Sequence, residues 1–265
     1  MIDLKPLLIE YVPPKAPYRE RQLSTLVGFL NNDSNYSNLI ILRGASGLGK
    51  TLLLKKTMIS CQKFEKICSY ISVHRFSSYE QILREICYKI NLIHLTSHIS
   101  INNVLYNIKR RVSYSSSNKL ILFFDDCLNM LDLMKITKLL KCLTDSNINV
   151  TCFISTKIKS IKLIEMLREM NCINEKYLID LPRYSMKELK DIFMYRFSLT
   201  NCPVSFLDEQ LFNYLAEIVY KYFYSNVSVG LAVLYEILQR VINKNCMEIS
   251  LQDIDNLLKN YFNPI

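Results

Sequence analysis

The sequence predicts an α/β protein, with a doubly wound parallel sheet of five strands followed by a small all-helical domain. Apolar runs typical of strands alternate with helical patterns up to about residue 182, after which only helical periodicity continues. Strands separated by helices pair in parallel through right-handed crossovers, and such sheets bind ligands at the carboxyl ends of their strands. We therefore expect two domains, at residues 1–182 and 183–265.

The five predicted strands are short apolar runs, at residues 39–43, 67–73, 120–124, 150–155 and 177–181. Helices are expected after the first two strands and over about residues 131–143. Ser77-x-x-Glu80 is typical of a capping box, which opens a helix. The apolar residues that follow it have helical spacing and predict a buried face made by Ile82, Leu83, Ile86 and Ile90.

The last part of the chain is predicted to be a helical bundle. A second capping box, Ser185-x-x-Glu188, precedes apolar residues at helical spacing, and further helices are expected at about 208–224, 228–243 and 251–262. The segment 212–224 is rich in tyrosine. We expect most of its tyrosines to be buried in the core. Because they cannot all face one core, some should form an exposed aromatic surface suited to a partner.

Composition narrows the class of protein. No apolar run approaches the ~18 residues of a membrane helix, and the first residues lack the pattern of a signal peptide, so we expect an intracellular protein without a membrane segment. The nine cysteines form no C-x-x-C pair and mostly lie in apolar stretches, which predicts buried thiols in a reducing compartment. The net charge of +9 suits a polyanion, but the lysines are scattered and leave DNA binding open. Lys109-Arg110-Arg111 is typical of a solvated helix end.

The most specific motif is the phosphate loop G-x-x-x-x-G-K-T directly after the first predicted strand. Its glycines let backbone N–H groups point at phosphate oxygens, Lys50 reaches the β- and γ-phosphates, and the Thr51 hydroxyl holds Mg²⁺. The alternative is a chance glycine-rich turn. The motif predicts that ATP is bound by Gly44, Ala45, Ser46, Gly47, Leu48, Gly49, Lys50, Thr51 and Leu52.

Acidic and hydroxyl residues follow two other predicted strands. Asp125 is expected to support the Mg²⁺ shell, and Asp126 to orient an attacking water in the catalytic position where hydrolysing P-loop proteins usually have glutamate. Aspartate is shorter by about 1.5 Å, and misplacement on that scale costs about a hundredfold in rate, so binding is better supported than hydrolysis. The alternative is that both acids begin a loop or cap a helix. Ser155 and Thr156 are expected to hydrogen-bond the γ-phosphate or the water, or equally to act as a cap.

These motifs together carry a resemblance to a family. The opening segment 11–26, with Arg19-Glu20-Arg21-Gln22-Leu23, the phosphate loop, Asp125-Asp126 and the segment 181–189 resemble the AAA+ initiator ATPases. These are the subunits of the origin recognition complex with their archaeal and cell-division-cycle relatives. Within this group, the tyrosine-rich segment and Leu231-Ala232-Val233-Leu234 are most similar to subunit 5 of the eukaryotic complex.

The resemblance implies a P-loop AAA+ domain with a helical lid, in a nuclear protein that acts in DNA replication. It implies ATP and Mg²⁺ as ligands, other origin recognition complex subunits as partners in a hetero-oligomeric ring, and contact with origin DNA through that assembly. Relatives continue into a carboxyl-terminal domain that this sequence is expected to lack. Two further functions remain open: an autonomous AAA+ ATPase of the helicase-loader or clamp-loader type, and a small-molecule phosphotransferase.

Two departures from hydrolysing relatives concern arginines. Their lid carries an arginine that touches the γ-phosphate, whereas the matching stretch here, 226–232, contains none. The candidate for an arginine finger is Arg168, with a solvated helix arginine as the alternative reading. With a short second acid and no lid arginine, the transition state is poorly stabilised, so we expect ATP to be bound and hydrolysed weakly or not at all. The nucleotide would then mainly stabilise the assembly.

Overall fold

The computed structural model describes residues 2–31, 37–92, 100–115, 117–158, 172–202, 208–244 and 251–262. Their contacts form two compact units. The sheet unit comprises Arg21–Gly44 and Lys50–Leu181, and the helical unit comprises Met1–Glu20, Ala45–Gly49 and Pro182–Ile265. The middle of the phosphate loop therefore groups with the helical unit, although both ends of the loop belong to the sheet unit.

The sheet unit is built on five strands, β1 (Asn38–Arg43), β2 (Cys68–Ser72), β3 (Leu120–Cys127), β4 (Val150–Thr156) and β5 (Glu175–Asp180). All neighbouring strands pair in parallel, in the order β2-β3-β4-β1-β5. The predicted parallel α/β fold is confirmed. From β1 the chain continues to β2 at one edge, whereas β5 pairs with β1 at the other edge, so the winding direction changes beside β1. Ligands of open parallel sheets bind at such a position.

Five helices belong to this part of the chain: α1 (Glu20–Leu30), α2 (Lys50–Lys63), α3 (Tyr79–Lys89), α4 (Ile101–Ser113) and α5 (Met130–Asp145). The predicted face of α3 is fully buried, and the basic cluster at the end of α4 is exposed as expected. The predicted capping box is wrong by one residue. Ser78 caps α3 by accepting from the Gln81 N–H, while Ser77 donates to the Gln81 side chain instead.

The three central strands of the sheet are almost entirely buried, because helices cover both faces of a parallel sheet. On one face, Phe123 of β3 and Phe153 of β4 stack with ring centroids 5.0 Å apart and planes at 10°. The eight described cysteines are all free, and five of them are buried, namely Cys61, Cys87, Cys127, Cys152 and Cys202. Cys246 lies outside the described residues.

The helical unit contains α6 (Met186–Ser198), α7 (Glu209–Tyr222), α8 (Val227–Lys244) and α9 (Leu251–Phe262), with a 3-10 turn at Lys5–Leu7. The capping box of Ser185 and Glu188 forms as predicted. Helix α8 lies so close to α6 that a Cβ placed on Gly230 would be 2.1 Å from the Phe193 ring. The amino-terminal segment joins this unit through Arg196, which donates to the Pro6 and Leu8 carbonyls.

The tyrosines of α7 are less buried than expected. Tyr220, Tyr222 and Tyr224 are 38%, 61% and 74% exposed, so the expectation that most of them lie in the core is wrong. The buried face of α7 is made by aliphatic residues and Phe212, which leaves these tyrosines on the opposite side or beyond the helix end. The Arg183 guanidinium covers the Tyr220 ring at 4.2 Å.

Over the described residues, the longest helices are too short or too polar to cross a bilayer.

Candidate nucleotide-binding site

The phosphate loop connects β1 directly to α2. Gly47 and Gly49 have φ angles of +73° and +89°, in the left-handed region that glycine adopts without a steric penalty. Helix α2 begins at Lys50, so Thr51 and Leu52 lie in its first turn, where backbone N–H groups lack partners within the helix. A loop that turns through two left-handed glycines into a helix N-terminus presents a set of N–H donors suited to an anion.

Lys50 connects this loop to the acids of β3. Its Nζ donates to the Gly44 carbonyl oxygen at 2.9 Å. Burial lowers the pKa of Lys50, while the charges of Asp125 and Asp126 act in the opposite direction. The ammonium group therefore lies within electrostatic range of both acids.

Asp125 is held by two hydroxyl groups. It is 1% exposed, and its Oδ1 and Oδ2 accept hydrogen bonds from the Ser155 and Tyr70 hydroxyls, respectively. We call Tyr70, Asp125 and Ser155 the acid cluster. Burial, followed by the charge of Asp125, raises the pKa of Tyr70 far above its usual value, so the phenol stays protonated and remains a donor.

Ser155 is engaged within the acid cluster on both sides. Besides donating to Asp125, its Oγ accepts from the Asp126 N–H at 3.2 Å. Its position predicts that Ser155 contacts the γ-phosphate or the water, or that it acts as a cap. In the structure its proton is directed at Asp125, so it orients both acids. Thr156 donates to the Cys127 carbonyl at 3.1 Å, at the end of the same pair of strands.

Asp126 occupies a break in the register of β3. Pairing with β4 is interrupted between Phe124 and Cys127, and Asp126 has a φ of +55°. The prediction that β3 ends at Phe124 is wrong, because pairing resumes at Cys127 after this bulge. The Asp126 carboxylate is half exposed and lies 4.0 Å from His74 Nδ1. Burial and the neighbouring Asp125 charge raise the pKa of Asp126.

Within the helical unit, the middle of the loop is contacted by residues whose types did not predict a place in the site. Arg19 is 3% exposed, and its guanidinium donates to the Leu48 carbonyl at 3.2 Å and to the Pro182 carbonyl at 2.7 Å. The same guanidinium lies 3.8 Å above the Tyr184 ring. Burial lowers the pKa of Arg19, and Tyr184 partly opposes that shift.

Asn226 completes this group, at the amino-terminal end of α8. A Cβ added to Gly47 would lie 1.9 Å from Asn226 Oδ1, and the Val227 N–H donates to the Gly47 carbonyl at 3.4 Å. We call Arg19, Tyr184 and Asn226 the loop brace. Asn226 is the first residue of the stretch where the sequence analysis looked for an arginine, and nothing in its own type indicated a contact with the loop.

A comparison with models of protein families shows which family has this sequence pattern. Residues 19–178 match the family model of the NB-ARC domain, which is more than half of the chain. The chain belongs to the NB-ARC domain family. The matched segment of this NB-ARC domain includes the phosphate loop and all three members of the acid cluster. No curated protein sequence matches the chain.

Several solved structures have a similar fold. The Cdc6p protein of Pyrobaculum aerophilum gives a TM-score of 0.78 at 18% identity, over 98% of this chain and 71% of that one. The Aeropyrum pernix ORC2 protein, solved as ADPNP-ADP complexes, gives 0.73 at 16% identity, over 97% and 71%. The Drosophila ORC bound to DNA gives 0.70 at 16% identity, over 98% and 65%. These likenesses, all below 25% identity, establish the fold alone.

Within this NB-ARC domain the structure brings two groups of the expected residues together. Lys50, at the start of α2, lies near Asp125 and Asp126, and Ser155 joins the two acids. Gly47 and Leu48 lie against the loop brace instead. Arg168, the candidate arginine finger, lies outside the described residues. The sequence did not predict that Tyr70 belongs to the site. The register of β2 against β3, in which Tyr70 pairs with Phe123 and Ser72 pairs with Asp125, is the information that would have indicated it.

Proposed function

We propose that this chain is an ATP-binding AAA+ subunit of an origin recognition complex and acts in the initiation of DNA replication. The observation that carries the proposal is the phosphate loop, with two left-handed glycines, a helix that begins at Lys50, and a buried acid within electrostatic range of that lysine. The relatives of the same fold support the biological role, since one was solved as ADPNP-ADP complexes and another as a complex with DNA.

The residues at the loop suit a magnesium nucleotide. Mg²⁺ prefers hard oxygen ligands and usually takes one or two carboxylates or hydroxyls from the protein. Thr51 and Asp125 supply a hydroxyl and a carboxylate of this kind. A carboxylate has about four lone-pair sites, so Asp125 keeps acceptor capacity after receiving the Tyr70 and Ser155 hydroxyls. Bound Mg²⁺ would neutralise phosphate charge, while Gly44–Thr51 orients the phosphates through backbone N–H groups and Lys50.

The same residues favour binding over hydrolysis. Asp126 is the residue expected to orient the water, and its carboxylate lies beside His74 on a strand bulge. The stretch 226–232 contributes Asn226, a neutral side chain, beside the loop in place of an arginine. Both features lower the stabilisation available to developing charge in a phosphoryl-transfer transition state. We therefore propose that hydrolysis is weak or absent and that ATP mainly stabilises an assembly.

The partners in this proposal are other subunits of the complex in a hetero-oligomeric ring, with origin DNA contacted through that assembly in the nucleus. Among the subunits, the tyrosine-rich segment favours subunit 5. The exposed Tyr220, Tyr222 and Tyr224 support a protein-binding role for the helical unit, because aromatic residues are enriched at interfaces. The alternative is an autonomous AAA+ ATPase of the helicase-loader or clamp-loader type.

Nucleotide binding is tested by titrating the purified chain with a fluorescent ATP analogue in the presence of Mg²⁺. Lys50→Ala and Thr51→Ala should each lose most of the affinity, since each removes a group directed at phosphate or metal. Lys63→Ala is the matched control, because Lys63 is an exposed lysine in the last turn of the same helix. Unchanged affinity in both site variants would show that the nucleotide binds elsewhere.

The assembly role is tested in two further ways. Steady-state hydrolysis by the isolated chain should be barely above background, and rapid turnover that Lys50→Ala abolishes would support the autonomous ATPase instead. Affinity purification from the native cell should recover other initiator subunits. Recovery without any of them would contradict the assembly role while leaving nucleotide binding intact.

A further inference from the structure

The contacts of Asp125 assign a role to Tyr70, a residue that the nucleotide-binding motifs do not include. We propose that Tyr70 is a positioning residue that occupies one carboxylate oxygen of Asp125 and thereby weakens the binding of Mg²⁺ at the phosphate loop. The inference rests on the proposed function and deepens it, because it concerns the metal dependence of the same site. It is carried by hydrogen-bond geometry within the sheet unit.

The strand register explains why Tyr70 reaches Asp125. Tyr70 pairs with Phe123 across β2 and β3, and Ser72 pairs with Asp125. Alternate residues of a strand share a face, so Tyr70 lies on the same face as Phe123 and Asp125. On the other side of β3, Phe153 pairs with Phe123, which brings Ser155 to that face as well. The long phenol of Tyr70 therefore spans the two-residue offset along the strands to reach Oδ2 of Asp125.

This arrangement places one protein donor on each oxygen of a buried acid. Asp125 is 1% exposed, so its charge depends on these two hydroxyls for stabilisation in the free protein. A ligand shell that uses Asp125 must share an oxygen that already accepts a hydrogen bond. The Tyr70 hydroxyl stabilises the metal-free form more than the metal-bound form whenever the two compete for Oδ2. By linkage, the affinity for Mg²⁺ is then lower than it would be without the hydroxyl.

A purely structural tyrosine would give a different result. If the hydroxyl served only to stabilise the fold, its removal would lower the stability of the protein and would leave the affinity for Mg²⁺ unchanged or reduced. If Tyr70 competes with the metal shell, its removal lowers the stability of the free protein but raises the affinity for Mg²⁺. The two roles therefore differ in the sign of the second effect.

The experiment compares Tyr70→Phe with the unaltered chain by titrating Mg²⁺ at a fixed concentration of a fluorescent ATP analogue. We expect the half-saturating Mg²⁺ concentration to fall by about 3- to 10-fold in Tyr70→Phe, the range of the net contribution of an ordinary intramolecular hydrogen bond. In the absence of nucleotide, the denaturant midpoint should fall. Tyr177→Phe is the matched control, since Tyr177 donates to the exposed Glu175 at 2.6 Å in β5, away from the acid cluster.

An unchanged or higher half-saturating Mg²⁺ concentration in Tyr70→Phe would overturn the inference. If that variant does not fold, Ser155→Ala provides the same test, because it frees the other oxygen of Asp125 and should also lower the Mg²⁺ requirement. Binding of nucleotide by the unaltered chain, with no shift in the variants, would refute only the role of Tyr70. Absence of nucleotide binding by the unaltered chain would refute the proposed function and this inference together.

Discussion

The acid cluster of the sheet unit and the loop brace of the helical unit are built in different ways. The acid cluster takes one residue from each of three adjacent strands, so the register of the sheet determines which side chains meet. The loop brace joins three distant segments through one arginine, whose hydrogen bond to the Pro182 carbonyl spans 163 positions of sequence. The first depends on regular secondary structure, whereas the second depends on a few long-range contacts made by individual side chains.

The largest effect is expected when the loop brace is broken at Arg19. Arg19→Ala removes hydrogen bonds to the Leu48 and Pro182 carbonyls, leaves those carbonyls without that donor, and removes the stacking on Tyr184. Hydrogen bonds to charged groups contribute about 1.5–3 kcal/mol each, so we expect a loss of about 3 kcal/mol in the free energy of unfolding. Denaturant unfolding at equilibrium measures it.

Two controls accompany this prediction. Arg19→Lys keeps the charge but lacks the planar fork, so it should recover only part of the lost stability. Arg21→Ala changes an exposed arginine two residues away and should change stability by less than about 0.5 kcal/mol. Equal losses in Arg19→Ala and Arg21→Ala would mean that the brace adds nothing beyond a surface charge.

A second way to break the brace is to add a single methyl group to the loop. Gly47→Ala places a Cβ 1.9 Å from Asn226 Oδ1, at a φ of +73° that alanine rarely adopts. Strain and overpacking of this kind cost about 1–3 kcal/mol, and we expect nucleotide affinity to fall as well. Denaturant unfolding and the fluorescent nucleotide titration measure the two effects.

Gly28→Ala is the matched control for the loop substitution. Gly28 lies in α1 with no atom within 4 Å of an added Cβ, so the same change should stabilise the chain by about 0.5–1 kcal/mol. If both glycine variants gained stability, the close approach of Asn226 to the loop would be refuted.

The same contrast explains how much of the molecule could be predicted from sequence. Apolar runs and helical spacing indicated the parallel sheet and the helices that follow it, because each pattern reflects which faces are buried. The prediction that Asp125 is a site residue rested on its place directly after a run of apolar residues typical of a buried strand. The contacts of Tyr70 required the register of β2 against β3, and the bulge at Asp126 required the pairing of Cys127 with Thr156. These are properties of neighbouring strands, which one strand's sequence does not contain.

The loop brace was less accessible for another reason. Arg19 entered the sequence analysis only through a resemblance, since an arginine before a helix is ordinarily solvated. Its burial depends on the Leu48 and Pro182 carbonyls, which carry no side-chain signal. Asn226 was considered only as part of a stretch without arginine. Contacts made through backbone groups of distant segments cannot be inferred from residue type.

A moderate effect is expected when the acid cluster is broken at Ser155. Ser155→Ala removes the hydroxyl that donates to Asp125 and accepts from the Asp126 N–H, which leaves a buried charged oxygen with one donor fewer. We expect a loss of about 1–2 kcal/mol in unfolding free energy. Ser60→Ala is the control, because the Ser60 hydroxyl donates to the Lys56 carbonyl of its own helix, α2, and its removal should be nearly neutral. If Ser155→Ala lost more unfolding free energy than Arg19→Ala, the acid cluster would contribute more to stability than the loop brace, contrary to this prediction.

The smallest effect concerns a thiol in the core of the sheet unit. Burial raises the pKa of Cys87 to about 11 from an ordinary value of 9.0. The folded state therefore keeps this proton at pH values where the unfolded chain releases it, so the contribution to stability is complete below pH 9.0 and is lost as pH rises toward 11. Between about pH 8 and about pH 10, the unaltered chain should lose about 1 kcal/mol more unfolding free energy than Cys87→Ala. Comparing the two pH slopes rather than the absolute stabilities cancels the cavity that the substitution creates. Parallel slopes would show that Cys87 titrates alike in both states.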